Sequence, residues 1–304
     1  MGTLWKVIRF PPVRIVLAFL AVGGAVALAQ VLVRALQSVL SFGGAVPAIY
    51  YAAYLVVGVL VAYFVYRSYV RIVEQRTVSE LLGDGAPEEL GVGMLIGLCL
   101  VCITIGILWL LGDYRVTGAG VWTTMFAVLA NDGAGAFVEE ILLRGVVFRI
   151  IEERLGTWIA LAISALLFAL LHLTSANATL TSTIVVGLEA GVLLSAAYVL
   201  TGRLWLAIGI HFAWDFAQDY VFGITGGTTG LVRAELTGPA MLSGGGSGIE
   251  GSVLALGLCL VVSAYLLVRA AHEDRLVRPF WRRPGSFVSP VRDVAENWRA
   301  WHHK

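Results

Sequence analysis

Long apolar runs separated by short polar segments dominate the sequence. An α-helix rises 1.5 Å per residue, so about 20 apolar residues cross the roughly 30 Å hydrocarbon core of a bilayer. Eight runs approach that length, and an even number places both termini on one side. The sequence therefore predicts an all-α, polytopic membrane protein with about eight transmembrane helices. The predicted spans are residues 15–35, 46–66, 90–111, 121–148, 157–173, 181–200, 204–222 and 252–269.

The composition excludes a soluble globular protein. Hydrophobic residues make up 59% of the chain and charged residues only 13%, whereas about a quarter of a soluble domain is charged. A net charge of +1 gives no basic surface for nucleic acid. The cysteines Cys99, Cys102 and Cys259 lie in apolar runs, so we expect them to behave as small hydrophobes and not as a metal or redox site.

The basic residues predict the orientation, because Lys and Arg collect in cytoplasmic loops. With the eight spans above, 17 of the 21 basic residues fall on one side. Only Arg34, Arg115 and Arg233 fall on the other side, and Arg144 lies within a span. The basic start of the chain precedes an apolar run too long for a signal peptide. We therefore predict an integral membrane protein with both termini in the cytoplasm. The excess of Arg over Lys suggests a prokaryotic plasma membrane.

Ionisable side chains inside the predicted spans are the candidates for function, because burying a charge in a bilayer is costly. Any single one is also compatible with a hydrogen bond between packed helices. Both histidines outside the C-terminal tail are among them. The set comprises Asp132, Glu139, Glu140, Arg144, His172, Glu189, His211, Asp215 and Asp219.

Helix geometry predicts how the first of these groups is arranged. Glu140 and Arg144 are four residues apart, so they can form an ion pair on one helix face. Glu139 points about 100° away from that pair and has no local partner.

Two later segments place further polar groups on shared faces. Phe168 and His172 have the same four-residue spacing, as have His211 and Asp215. Counting along the helices puts Glu139, His172, His211 and Asp215 at depths of roughly 12–23 Å. Two imidazoles and two carboxylates that meet at a common depth are a candidate catalytic or metal-binding site.

The three motifs together resemble a known family. The order EExxxR (Glu139 to Arg144), FxxxH (Phe168 to His172) and HxxxD (His211 to Asp215) is similar to the CPBP family of intramembrane proteases. That family includes the CAAX prenyl endopeptidases and the bacterial Abi-type proteins. The resemblance covers about residues 120–222 and implies peptide-bond hydrolysis in a cavity within the membrane.

The resemblance also implies roles for the matching residues. Glu139 would be the general base that activates water together with His172, while Arg144 would hold Glu140. His211 would stabilise the oxyanion, with Asp215 beside it.

The sequence departs from the CAAX enzymes at Asp215, where those enzymes carry Asn. An ionised carboxylate cannot donate a hydrogen bond to an oxyanion. Asp215 must therefore be protonated, orient His211 or ligate a metal.

A metal-dependent mechanism stays open at this stage. Glu139, His172, His211 and Asp215 make a plausible Zn²⁺ set, although the chain has no HExxH motif. We favour the metal-independent glutamate mechanism. Phe168 would serve in packing or in the substrate pocket.

Two other functions are alternatives to an endopeptidase. The first is a non-hydrolytic bacteriocin-immunity or interaction protein, and the second is a proton-coupled transporter, for which no internal repeat is visible. The expected partners are the lipid bilayer and a membrane protein or lipidated peptide. Asp132, Glu189 and Asp219 are expected to line a hydrated cavity or to pair across helices.

The predicted organisation has four parts. Residues 1–119 form the first three helices, and residues 120–222 form the CAAX-protease-like core. Residues 223–271 form a Gly-rich external loop and the eighth helix. Residues 272–304 form a basic, aromatic cytoplasmic tail that lies at the membrane interface or in solvent.

Overall fold

The computed structural model describes residues 3–40, 48–174, 178–224 and 230–282. The basic and aromatic residues of the predicted tail beyond Arg282 lie outside these ranges.

Twelve α-helices and two short strands make up the described chain, and π-helical turns continue several of the helices. The α-helices are α1 (Thr3–Ile8), α2 (Pro11–Ala18), α3 (Gly24–Leu40), α4 (Ala48–Tyr69), α5 (Ala86–Leu111), α6 (Met125–Glu140), α7 (Arg149–Leu155), α8 (Thr157–His172), α9 (Leu180–Thr201), α10 (Trp205–Phe216), α11 (Ala240–Ser243) and α12 (Val253–His272). The strands are β1 (Tyr114–Ala119) and β2 (Val232–Leu236). The π-helical segments are Phe19–Gly23, Val70–Glu74, Ile141–Phe148 and Ala217–Val221.

The predicted all-α membrane fold is confirmed. Five helical segments of the described chain are long and apolar enough to cross a membrane. The other three predicted spans coincide with α6 and its continuation to α7, with α8, and with α10, so the count of eight stays a prediction. The five segments are Pro11–Val39, Ala48–Glu74, Ala86–Leu111, Leu180–Thr201 and Gly245–His272.

Large aliphatic side chains on the outer helices face outward. Leu20, Ile49, Leu110 and Val261 are each more than two-thirds exposed. An apolar surface of this extent is stable only against lipid or another apolar partner. Helix α9 differs, because most of its length is buried among other helices.

Helices α5 and α10 cross at very short range because both carry glycine at the crossing. A Cβ atom added to Gly93 would lie 2.3 Å from the carbonyl oxygen of Leu206, and one added to Gly209 would lie 2.3 Å from that of Leu90. Small residues allow helix backbones to approach closely and to pack well within a membrane. This crossing anchors the helix that carries His211.

We expect Gly93→Ala to destabilise the protein by about 1–3 kcal/mol, because the added methyl group overpacks this crossing. Gly106→Ala on the same helix is the control. A Cβ at Gly106 meets nothing within 4 Å, and alanine favours a helix over glycine by about 1 kcal/mol. The free energy of unfolding in detergent, followed by circular dichroism, measures both changes. Equal effects of the two variants would contradict the close crossing.

A two-stranded antiparallel sheet closes one end of the helix bundle. Strand β1 pairs with β2, with Tyr114 opposite Leu236 and an irregularity between Val116 and Gly118. The sequence analysis did not predict this sheet. Much of the segment predicted as a Gly-rich external loop is therefore regular structure, since it contains β2, α11 and the 3₁₀ segment Gly245–Gly251.

Ion pairs bind the helices together at the opposite end of α5. Glu74 accepts from three arginines, with distances of 2.6 Å to Arg14, 2.7 Å to Arg76 and 2.7 Å to Arg149. Arg76 also pairs with Glu80 at 2.6 Å. Basic residues predicted for one side of the membrane therefore gather at one end of the bundle. Which side that end faces stays a prediction.

Glu80 in the loop before α5 remains ionised in this cluster. Burial raises the pKa of Glu80, but the hydrogen bonds and positive charge of Arg76, together with the effects of Arg149 and Tyr66, outweigh burial. The pKa therefore lies below its ordinary value. The stability that this shift contributes is present at neutral pH and is lost as the pH falls through the lowered pKa.

Candidate active site

A cavity of about 790 Å³ lies between α6, α8, α9, α10 and the segment Gly245–Gly251. Its volume is typical of a ligand-binding cavity. Two histidines and seven carboxylates line it, whereas no Lys or Arg is among the described lining residues. These ionisable residues are Asp132, Glu139, His172, Glu189, His211, Asp215, Asp219, Glu235 and Glu250.

The two adjacent glutamates at the end of α6 have opposite environments. The side chain of Glu139 is 47% exposed and lines the cavity, whereas that of Glu140 is fully buried. The helix changes from α to π directly after Glu140. Such π turns are rare and often occur at functional sites. The sequence predicted the different directions of the two glutamates but not the change of helix type.

The predicted ion pair between Glu140 and Arg144 is present and completely buried. Arg144 Nη1 donates to Glu140 Oε1 at 2.7 Å, and Nη2 donates to the carbonyl oxygen of Ala190 on α9 at 3.0 Å. The guanidinium also lies 5.1 Å from the ring centre of Phe168, within the range of a cation–π contact. Arg144 therefore joins three helices behind the cavity wall.

His211 connects the buried ion pair to the cavity. Its Nδ1 lies 2.9 Å from Glu140 Oε1, so Nδ1–H donates to that carboxylate. Its Nε2 lies 3.4 Å from Asp215 Oδ2 and 3.9 Å from Glu139 Oε2. The expected shared face of His211 and Asp215 is found. Glu140 fixes the imidazole, and Nε2 faces two cavity carboxylates.

His172 stands at the last turn of α8, stacked on Phe168. The ring centres of Phe168 and His172 are 4.6 Å apart, with 20° between the planes. Nδ1 of His172 lies 2.9 Å from the carbonyl oxygen of Phe168. A carbonyl can only accept, so Nδ1 carries a proton and Nε2 of the neutral ring is left as an acceptor. Phe168 also lies 6.2 Å from the His211 ring and thus separates the two imidazoles.

The other intramembrane acids lie around the same cavity. Asp132, Glu189 and Asp219 all line it. Buried oxygens without a hydrogen-bond partner are concentrated there as well, among the described side chains. They are Asp132 Oδ2, Thr183 Oγ1, Glu189 Oε2 and Gln218 Oε1. Buried polar atoms normally have partners, so this cavity is built to hold water or a polar ligand.

The sequence analysis did not single out Gln218 and Glu250, which also line the cavity. Gln218 Nε2 donates to Glu250 Oε1 at 3.2 Å. Glu250 ends a glycine-rich stretch directly before an apolar helix, and an acid at such a position is ordinary in a surface loop. No signal in the sequence distinguishes it.

The residues as placed do not form a metal site. Among the described residues, no group of three or more His, Cys, Asp and Glu side chains is arranged to hold a metal ion. Glu139, His172, His211 and Asp215 share one cavity but do not converge as the ligand set that the zinc alternative requires.

Fold and site together define the class: a polytopic helical membrane protein with carboxylates and imidazoles around a polar cavity between its helices. Residues 120–217 match the family model of the Rce1-like type II CAAX prenyl endopeptidases. The resemblance predicted from the motifs is thus confirmed, and this segment is similar to the Rce1-like CAAX endopeptidases. It covers about a third of the chain and holds all three motifs. No curated protein and no solved structure matches the chain.

Proposed function

We propose that the protein is an intramembrane endopeptidase that hydrolyses a peptide bond of a membrane-embedded or lipidated substrate in this cavity. The observation that carries the proposal is the pair of Glu139 and His211. A half-exposed carboxylate faces the cavity 3.9 Å from an imidazole nitrogen, and the other nitrogen of that imidazole is fixed by a buried carboxylate. The endopeptidase match of residues 120–217 supports the same function.

Glu139 acts as the general base in the proposed reaction. It removes a proton from water as the water oxygen attacks the carbonyl carbon of the scissile bond. The same proton then passes to the amide nitrogen as the carbon–nitrogen bond breaks, which leaves a carboxyl terminus and a free amine. The acceptor Nε2 of His172 can hold the second hydrogen of the water.

His211 stabilises the negative charge that develops on the carbonyl oxygen. In its imidazolium form it donates Nδ1–H to Glu140 and presents Nε2–H to the cavity, where a preorganised donor stabilises an oxyanion. Asp215, 3.4 Å from Nε2, holds the ring in this direction before substrate binds. In this proposal Asp215 orients the donor and need not donate itself, which would account for Asp in place of Asn at position 215.

The first experiment measures cleavage of membrane-proximal peptides by the purified protein in detergent. We expect cleavage, and we expect it to persist with chelator, because the cavity groups are not arranged as a ligand set. Metal analysis of the same preparation is the control. Complete loss of cleavage on chelation, with recovery when Zn²⁺ is restored, would contradict the glutamate mechanism.

The same assay separates the endopeptidase from the alternatives. An immunity or interaction protein, like a transporter, would produce no new amino termini from any peptide. The detection of new termini by mass spectrometry therefore decides between hydrolysis and these functions.

A further inference from the structure

Glu189 is a buried acid that the proposed mechanism does not use. It lies about 14 Å along α9 from the start of that helix, within an apolar segment, and is only 3% exposed. Its Oε2 has no hydrogen-bond partner, although the side chain lines the cavity. A buried carboxylate without a partner is unfavourable. A ligand that donates hydrogen bonds to Glu189 would remove this cost.

A second acid reaches the cavity from a segment that packs against α9. Glu250 belongs to the 3₁₀ segment Gly245–Gly251, and Gln218 holds it through the hydrogen bond described above. Gly244 fixes the path of this segment, with a φ of +81°. A Cβ there would lie 1.6 Å from the carbonyl oxygen of Gly248. The backbone that delivers Glu250 is thus tightly specified.

No Lys or Arg of the described chain pairs with these two acids in the cavity. Each lies within electrostatic reach of the other, and no Lys or Arg is among the described residues that line the cavity. The nearby Arg144 is fully buried and engaged with Glu140 and Ala190. A cation that enters the cavity would relieve the repulsion and supply the missing donors.

Glu250 also lies within electrostatic reach of two groups proposed for catalysis. Both His172 and His211 act electrostatically on Glu250. A group bound between Glu189 and Glu250 would therefore be held near the scissile bond and not at a distant surface.

We propose that Glu189 and Glu250, with Gln218 beside them, form an acidic subsite that binds the ammonium or guanidinium group of a Lys or Arg side chain in the substrate peptide. This inference rests on the proposed endopeptidase function and adds a substrate class to it: peptides with a basic residue near the scissile bond. An ammonium group carries three donors and no acceptor. It suits a wall with unpartnered oxygens on Thr183, Glu189 and Gln218.

The test uses two series of lipidated fluorogenic peptides. One series carries a single lysine at each of four positions around the scissile bond in turn, and the other carries norleucine, which has the same chain length without the ammonium. We expect the wild type to prefer lysine at one position by about 10- to 100-fold in kcat/KM, the effect of a hydrogen bond to a charged group. Glu189→Gln and Glu250→Gln should each lose most of that preference while still cleaving the norleucine peptide.

Glu235→Gln is the matched control. Glu235 lines the same cavity but is exposed on β2, so its replacement removes one negative charge without touching the acidic subsite. The lysine preference should survive in this variant. Thermal unfolding of each variant verifies that it is folded.

Binding of the same labelled peptides separates this inference from the proposed function. A lysine preference in binding that depends on Glu189, without cleavage, would support the acidic subsite and overturn the endopeptidase. Cleavage of both series at equal rates would overturn the subsite and leave the endopeptidase standing.

Titration with Ca²⁺ and with Zn²⁺ tests whether the subsite binds a free cation instead of a peptide side chain. If Glu189→Gln weakened ion binding but left the lysine preference intact, the subsite would not bind peptide and the inference would be wrong.

Discussion

Glu139→Gln is expected to lower kcat by about 10²- to 10⁴-fold, the range that a positioned general base contributes. Glutamine keeps the shape of the side chain but cannot take a proton from water. The fold should be unaffected, because Glu139 is half exposed and makes no buried hydrogen bond. Single-turnover cleavage of a membrane-proximal peptide measures the rate, and thermal unfolding in detergent measures stability.

The exposed acid Glu235 also provides the control for the loss of kcat expected in Glu139→Gln. Glu235→Gln changes the charge of the same cavity by the same amount, so general electrostatic effects appear in both variants and the loss of the base in only one. Unchanged cleavage by Glu139→Gln would exclude Glu139 as the base. Equal losses in the two variants would indicate an effect of cavity charge and not of proton transfer.

The helices were predictable because the membrane imposes a simple rule on the sequence. A helix in lipid satisfies its own backbone hydrogen bonds, so an apolar run of sufficient length is enough to indicate it. The predicted runs 90–111 and 181–200 correspond to α5 and α9 within a few residues. The same rule made polar residues inside the runs conspicuous, and it identified Glu139, His172 and His211 as candidates for function.

Pairings between distant segments were not predictable. The strands β1 and β2 are short and are separated by more than 100 residues. Both alternate apolar and polar residues, YRVT in β1 and VRAEL in β2, but such short patterns do not indicate that the two segments pair with each other. Their hydrogen bonds depend on how the helices place their ends, which no local pattern records.

The candidate site shows the same division between local and distant information. The ion pair of Glu140 and Arg144 followed from helix spacing, because both residues lie on one turn. The hydrogen bond from His211 to Glu140 joins residues 71 positions apart and depends on the packing of α10 against α6. Glu250 reaches the cavity only because of the path that the glycine-rich segment takes. Its position could therefore not be predicted from the sequence.

Arg144→Ala is expected to destabilise the protein by about 3–5 kcal/mol, because removing one partner of a buried ion pair leaves the other charge uncompensated. Glu140 is fully buried, and its remaining contact is His211. The substitution also removes the bond to Ala190 and the contact with Phe168. The free energy of unfolding in detergent measures the loss. Arg154→Ala, at an exposed position of α7, is the control and should change stability by less than about 0.5 kcal/mol.

The double variant Glu140→Leu/Arg144→Met separates the structural role of this ion pair from its role in catalysis. Apolar replacement of both partners of a buried pair is often neutral or stabilising, so we expect much of the stability to return. Activity should stay low, because His211 would have no carboxylate to hold Nδ1–H and to direct Nε2 into the cavity. A stable double variant with wild-type kcat would show that the ion pair serves folding alone, and His211 would then need another source of orientation.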